Sequence, residues 1–251
     1  MSQNSSTRVV AIFGATGGIG SELAHRLVKS GHRLALIARS EERLRVLAAE
    51  TGALSLRADV TASAEVDAAV TRILEAHGRL DGAAHCVGSL LLKPAHLTSD
   101  AEWAATIAAN LTSAFYVLRA AAKAMQGQGG SIVLVSSAAA SIGLTNHEAI
   151  AAAKGGVAAL AMSAAATYAA KGIRVNCVAP GLVRTPLTAR ITQNEAGLRA
   201  SQGMHPLGRI GEPADVAAAM EFLLSPASGW MTGQVIGIDG GLASLKVPGP
   251  R

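Results

Sequence analysis

The sequence predicts a doubly wound α/β fold: one domain built on a parallel sheet of seven strands, covered by helices on both faces, with a small C-terminal substrate lid. Three observations carry that prediction. Short apolar runs alternate with segments of helical period from residue 9 to residue 238, the pattern that parallel crossovers impose. Several of those runs, VVAIF at residues 9–13 first among them, are apolar without interruption, as strands buried on both faces must be. Half of the 251 residues are hydrophobic while only 16% are charged and 3% aromatic, so a sizeable core of Val, Ile, Leu and Ala can form with close helix-on-sheet packing.

The elements follow in order. A strand at 9–13 runs into GATGGIG, and Ile19, Leu23 and Leu27 then repeat at helical spacing until Gly31 stops the helix. Strands are predicted at 34–38, 53–57, 82–86, 131–135, 173–178 and 235–238, and helices at 41–50, 63–77, 101–125, 150–171, around 187–202, and at 213–224. No repeat or compositional shift divides the chain, so residues 8–245 read as one domain with flexible tails at 1–7 and 246–251. The longest irregular region, 180–213, lies beyond a strand's carboxyl end and reads as the lid, with Leu187, Ile191 and Met204 as an apolar wall.

Composition also excludes classes. The net charge is +5, but the basic residues are scattered, without runs or interleaved aromatics, which argues against nucleic acid. Cys86 and Cys177 fall in apolar strand runs and read as small buried hydrophobes, not as a disulfide framework. The first residues lack an apolar signal core, and no stretch reaches about 18 uninterrupted apolar residues. The expectation is a soluble cytoplasmic protein that engages neither nucleic acid nor membrane.

The glycines after the first strand have a physical task. Gly14, Gly18 and Gly20, with Thr16 and Ile19 between them, allow a tight turn and a close backbone approach to a pyrophosphate, which the helix N-terminus then receives. Placed between a strand and a helix, they read as a dinucleotide-binding turn. At the end of the second strand, where an acid would pair with ribose hydroxyls, stand Arg39 and Ser40, a guanidinium and a hydroxyl that suit a 2′-phosphate. The expected cofactor is NADP(H).

With the later motifs, this spacing resembles that of the classical short-chain dehydrogenases/reductases, whose fingerprint is TGxxxGxG, with Phe13 in place of the Thr; the resemblance covers residues 9–241. It implies roles for further residues. Asp59 and Val60 match an adenine-contacting pair, and His85-Cys86-Val87-Gly88 occupies the place of NNAG, keeping only Gly88. Asn110 matches a helix asparagine that holds a relay water, and Pro180, Gly181 and Thr185 match the segment that touches the nicotinamide. The ending TGQVIGIDGG resembles the last strand of the family, often part of a tetramer interface. The nearest branch is the 3-oxoacyl carrier-protein reductases.

In that family a serine polarises the substrate carbonyl and a tyrosine four residues before a lysine supplies the proton. Ser137 and Lys154 match the serine and lysine, but the tyrosine position is Ile150, flanked by Ala149 and Ala151. The two tyrosines, Tyr116 and Tyr168, lie elsewhere; Tyr168 is about 21 Å along the helix from Lys154 at the standard rise. The nearest ionisable replacement is His147, one turn before Ile150 if the helix has begun there. It reads either as a catalytic acid or substrate ligand, or as a loop histidine without a chemical role. HExxH would need a histidine at Ala151, and Ser137 lacks the glycines of a hydrolase elbow, so neither a zinc protease nor a serine hydrolase fits, and no metal is expected. Three readings remain: an NADPH-dependent reductase of an apolar ketone with an altered proton donor, a silent NADP(H)-binding protein or redox sensor, and a non-redox enzyme that uses the same pocket.

Overall fold

The computed structural model describes residues 7–246. Of the tails expected at 1–7 and 246–251, all but Thr7 and Lys246 lie outside the described residues. The strands are β1 (Val9–Phe13), β2 (Arg33–Ala38), β3 (Leu54–Arg57), β4 (Gly82–His85), β5 (Gly130–Val135), β6 (Ile173–Pro180) and β7 (Val235–Ile238). They form one sheet in the order β3-β2-β1-β4-β5-β6-β7, with every pairing parallel. The helices are α1 (Gly18–Lys29), α2 (Glu41–Thr51), α3 (Ser63–His77), α4 (Asp100–Ile107), α5 (Ser113–Ala124), α6 (Glu148–Tyr168), α7 (Ala189–Thr192), α8 (Glu195–Met204) and α9 (Pro213–Leu224).

The core has two halves because β1 is buried on both faces. Val9, Ala11 and Phe13 pack among residues of α3, α5 and α6, such as Val70, Val117 and Val157. Val10 and Ile12 pack on the other side with Leu23, Leu44 and Met220 of α1, α2 and α9. That two-sided burial is why the strand carries no polar alternation, and truncating Ile12 to alanine would cost about 2–5 kcal/mol. The helix Glu148–Lys171 is long and apolar enough by composition to cross a membrane; here its Val157, Ala161 and Ala165 belong to the core.

Two predicted helices are broken. Instead of one helix over 101–125, a π-turn at Ala108–Thr112 separates α4 from α5. Side chains bond back to carbonyls at this turn: Asn110 Nδ2 donates to the Thr106 oxygen at 2.9 Å and Ser113 Oγ to the Ala109 oxygen at 2.8 Å. Apolar periodicity carries no signal of such an insertion. The segment around 187–202 is likewise divided, with Asn194 capping α8 by accepting from the Gly197 amide at 2.8 Å.

The chain runs outward from β1 to β3 and then returns to place β4 on the other side of β1. This reversal opens a crevice at the carboxyl ends of β1 and β4, where open α/β sheets take their ligands. Close approach at its floor requires glycine: Gly14 has φ +83°, and a Cβ there would lie 2.7 Å from Val87 Cγ2 and 2.9 Å from the Cys86 carbonyl carbon.

Candidate active site

A cavity of about 710 Å³ fills that crevice. Gly14, Thr16, Gly18 and Ile19 line it, whereas Gly20 lies beneath, where an added Cβ would collide with the Gly14 carbonyl. The Gly17 amide bonds back to the Gly14 oxygen at 3.0 Å, and α1 starts at once with no side-chain cap on its first N–H groups. Those groups can receive an anion. Thr185 closes the turn from the lid side: a Cβ on Gly18 would sit 2.8 Å from its methyl, so only glycine lets the two segments touch.

Next to the turn stands a cationic corner. Arg39, Ser40 and Arg43 all line the cavity, as do Asp59, Val60 and Thr61. Ser40 caps α2 by accepting from the Arg43 amide at 3.4 Å, which leaves its own hydroxyl proton free to donate outward. Arg43 was absent from the sequence-based set. Its guanidinium bonds the Thr16 carbonyl and so spans from α2 to the glycine turn; the available signal was its place one helical turn after the cap Ser40. The Asp59 carboxylate accepts from the amide and hydroxyl of Thr61 at 2.9 and 2.8 Å. Those bonds, with the nearby charge of Arg39, hold it below the usual carboxylate range. A group with phosphate-like charge therefore meets two guanidinium groups and a hydroxyl at this corner.

The ends of β5 and α6 stand behind the Gly88 wall: Ser137, Lys154, Asn110, His147 and Ile150 do not themselves line the cavity. The Lys154 ammonium donates to the Val135 carbonyl at 2.8 Å, and Ser136 Oγ donates to the Lys154 carbonyl at 2.7 Å. Burial brings the Lys154 ammonium down to about 8, slightly opposed by Cys177 and Cys86. Gly88, in the cavity wall, touches two of these groups: a Cβ there would be 2.9 Å from Asn110 Oδ1 and 3.4 Å from Lys154 Nζ. Asn110 is fully buried in the π-turn, its Oδ1 accepting from the Ser89 amide at 3.2 Å and its Nδ2 donating to Ser89 Oγ at 2.9 Å. A small-residue contact seats the turn on α6, because Gly156 leaves room for Leu111, whose Cδ2 would be 2.7 Å from an added Cβ.

The remaining residues are placed as follows. Ser137 follows β5, half-buried, with Oγ accepting from the Ala139 amide at 3.2 Å. Ile150 is buried in the first turn of α6 at 4% exposure. Helix α6 begins at Glu148, so His147 is its N-cap residue and does not stand on the helix one turn before Ile150. Its Nδ1 lies 2.7 Å from the Thr145 carbonyl, which fixes the hydrogen there and leaves Nε2 with a lone pair. Pro180 and Gly181 do not line the 710 Å³ cavity; Gly181 packs against His205, whose Nε2 would be 2.5 Å from an added Cβ. Of the predicted apolar wall, Leu187 lines the cavity while Ile191 and Met204 do not. Among the described residues no group of three or more His, Cys, Asp or Glu is arranged to hold a metal ion.

A parallel sheet with a glycine turn at its switch point and a serine and a buried lysine at the next strand's end defines a nucleotide-binding α/β domain of the dehydrogenase type. The chain belongs to the short-chain dehydrogenase/reductase family, whose members are oxidoreductases with a nicotinamide cofactor. A family model described as enoyl-(acyl carrier protein) reductase matches residues 14–243. Galactitol 2-dehydrogenase (L-tagatose-forming) of Cereibacter sphaeroides is 37% identical over 92% of this chain and 93% of its own length. A short-chain type dehydrogenase/reductase structure from Mycobacterium ulcerans superposes with a TM-score of 0.89 at 36% identity, covering 94% of this chain and 90% of that one. A variant actinorhodin polyketide ketoreductase, solved with NADPH, gives 0.91 at 29% identity over 98% of this chain and 100% of that one.

Proposed function

We propose that this protein is an NADPH-dependent reductase of an apolar ketone in which the usual phenol donor is replaced. The observation that carries the cofactor choice is the corner formed by Arg39, Ser40 and Arg43 on the cavity wall, since a nucleotide without a 2′-phosphate gives those groups nothing to bind. NADPH would supply the hydride. Thr16, Gly18 and Ile19 hold the pyrophosphate, Asp59 and Val60 border the adenine, Thr185 meets the nicotinamide carboxamide, and Lys154 binds its ribose. Pro180 and Gly181 support that segment from behind, through the packing of Gly181 on His205.

Ser137 donates its hydroxyl hydrogen to the substrate carbonyl and stabilises the developing negative charge. The proton for the alkoxide comes from a water held between Asn110 Oδ1 and the Lys154 ammonium, the two polar groups that converge on Gly88, and that ammonium gives the water a proton in return. His147 Nε2 is the rival donor. Leu90, Leu91 and Leu187 give the cavity wall an apolar stretch, which suits a greasy substrate. By the same reading the protein is a cytoplasmic homotetramer that engages neither nucleic acid nor membrane; exposed Trp103, Phe115 and Met162 on α4, α5 and α6 offer the apolar surface for subunit contact.

Fluorescence titration with NADPH and NADH, followed by a ketone panel read at the NADPH absorbance, tests this function. Tighter binding of NADPH and turnover of at least one apolar ketone are expected. The buried Ile150 at the donor position favours a second reading, a protein that binds NADP(H) without turnover, and tight binding with silence across the panel would establish that one instead.

A further inference from the structure

The π-turn that carries Asn110 is held from outside its own helices. His85, the last residue of β4, has no solvent exposure, and its Nε2 lies 2.9 Å from Ser113 Oγ. That hydroxyl in turn lies 2.8 Å from the Ala109 carbonyl oxygen. A carbonyl only accepts, so Ser113 gives its single proton to Ala109 and presents a lone pair to the imidazole. His85 must therefore carry its hydrogen on Nε2. Its Nδ1 is left as a buried lone pair without a hydrogen-bond partner. Burial, with the charge of Lys154, drives the imidazole down to about 3, so the ring stays a neutral donor.

A buried imidazole with one unpartnered nitrogen is costly, and a leucine would fill the same space without that cost. The arrangement makes sense if the Nε2–H bond has a task. A π-turn replaces i→i+4 bonds by i→i+5 bonds over a single turn, and here side chains add bonds to two carbonyls of that stretch. Asn110 bonds the carbonyl of Thr106, and Ser113, oriented by His85, bonds that of Ala109, the residue just before Asn110.

We infer that His85 is a positioning residue for Asn110: its Nε2–H locks Ser113 onto the Ala109 carbonyl and so holds the π-turn in the register that aims the Asn110 amide at Ser89 and Gly88, beside Lys154. Its catalytic consequence rests on the reductase reading above. The hydrogen-bond chain itself does not.

Nuclear magnetic resonance on full-length protein with isotope-labelled histidine and asparagine reads the chain directly. The expected result is a neutral Nε2–H tautomer for His85 that does not titrate between about pH 5 and pH 8, and an Asn110 side-chain amide protected from solvent exchange. His85→Leu and Ser113→Ala should each weaken that protection at least about tenfold and lower kcat by a similar factor with the KM for NADPH unchanged. His85→Gln, which keeps a donor, should retain more of both than His85→Leu. A titrating His85, an Nδ1–H tautomer, or Asn110 protection unmoved by Ser113→Ala would overturn the assignment. Should His85→Leu not fold, Ser113→Ala decides alone. Should the unmodified protein reduce no ketone, the reductase reading fails while the exchange measurement still decides the role of His85.

Discussion

The hydroxyl of Ser136 donates to the backbone carbonyl of Lys154 across 2.7 Å, tying the end of β5 to the helix turn that presents the ammonium. Both residues are buried, and the bond fixes how far α6 can slide along the sheet. Ser136→Ala should therefore destabilise the fold by about 1 kcal/mol, seen as a lower urea midpoint with an unchanged slope. Weaker NADPH binding should accompany it, because Lys154 loses its anchor. An unaltered affinity would detach the anchor from the site.

Lys154 also predicts a pH dependence. Its ammonium, near 10.5 when unfolded, is brought to about 8 by burial. Between those values the unfolded chain holds a proton that the folded one has released, so stability rises with pH. Cys177 and Cys86 act oppositely above pH 9, since burial lifts their thiols from 9.0 to about 11 and about 12. The gain is thus clearest from about pH 8 to pH 9. Relative to Lys154→Met, in which the thiols largely cancel, the unmodified protein should gain up to about 1.4 kcal/mol per pH unit in urea unfolding. A flat difference would mean that the ammonium is not desolvated in solution.

The cationic corner makes a prediction about cofactor choice. Arg39→Ala and Arg43→Ala should each weaken NADPH binding by about tenfold to a hundredfold, the range for a charge-assisted hydrogen bond. NADH binding should hardly change. Equal losses for both nucleotides would assign Arg43 to the support of the glycine turn, through its bond to the Thr16 carbonyl, and not to the 2′-phosphate.

Position 150 separates binding from turnover. Ile150→Tyr should raise ketone reduction at least about tenfold if only the phenol is missing, at a packing cost of about 1–3 kcal/mol for forcing a larger ring into a buried place. His147→Ala is the control on the rival donor. It should leave kcat within about twofold, because the ring is held toward the Thr145 carbonyl in its own loop. A collapse of kcat in His147→Ala would move the donor from the Asn110 water to the imidazole.

What the chain made readable and what it hid divide along physical lines. Strand β1 and the glycine turn were legible because two-sided burial and close backbone contact each leave a compositional mark at adjacent positions. Ser137 and Lys154 stood out only through the family resemblance, by their places on either side of position 150. Arg43 was missed although its role needs only a helical turn counted from Ser40, since an arginine at a helix start ordinarily faces water. The π-turn was invisible: Asn110 and Ser113 bond back to carbonyls there, and polar side chains in a helix look the same from sequence whether they bond backward or point outward. His85 was visible only as a departure from NNAG. Its partner is 28 positions away, and no local pattern connects the two.

The contact between Gly156 and Leu111 has a consequence for anyone altering this protein. An added Cβ at 156 would lie 2.7 Å from Leu111 Cδ2, so the leucine that seats the π-turn on α6 would have to turn its side chain out of that contact. Neither residue has a polar side-chain atom, and neither reaches the cavity. A survey that scored only ionisable or nucleotide-facing positions would rank Gly156 as filler, yet its missing side chain is what leaves Leu111, the neighbour of Asn110, its seat on α6.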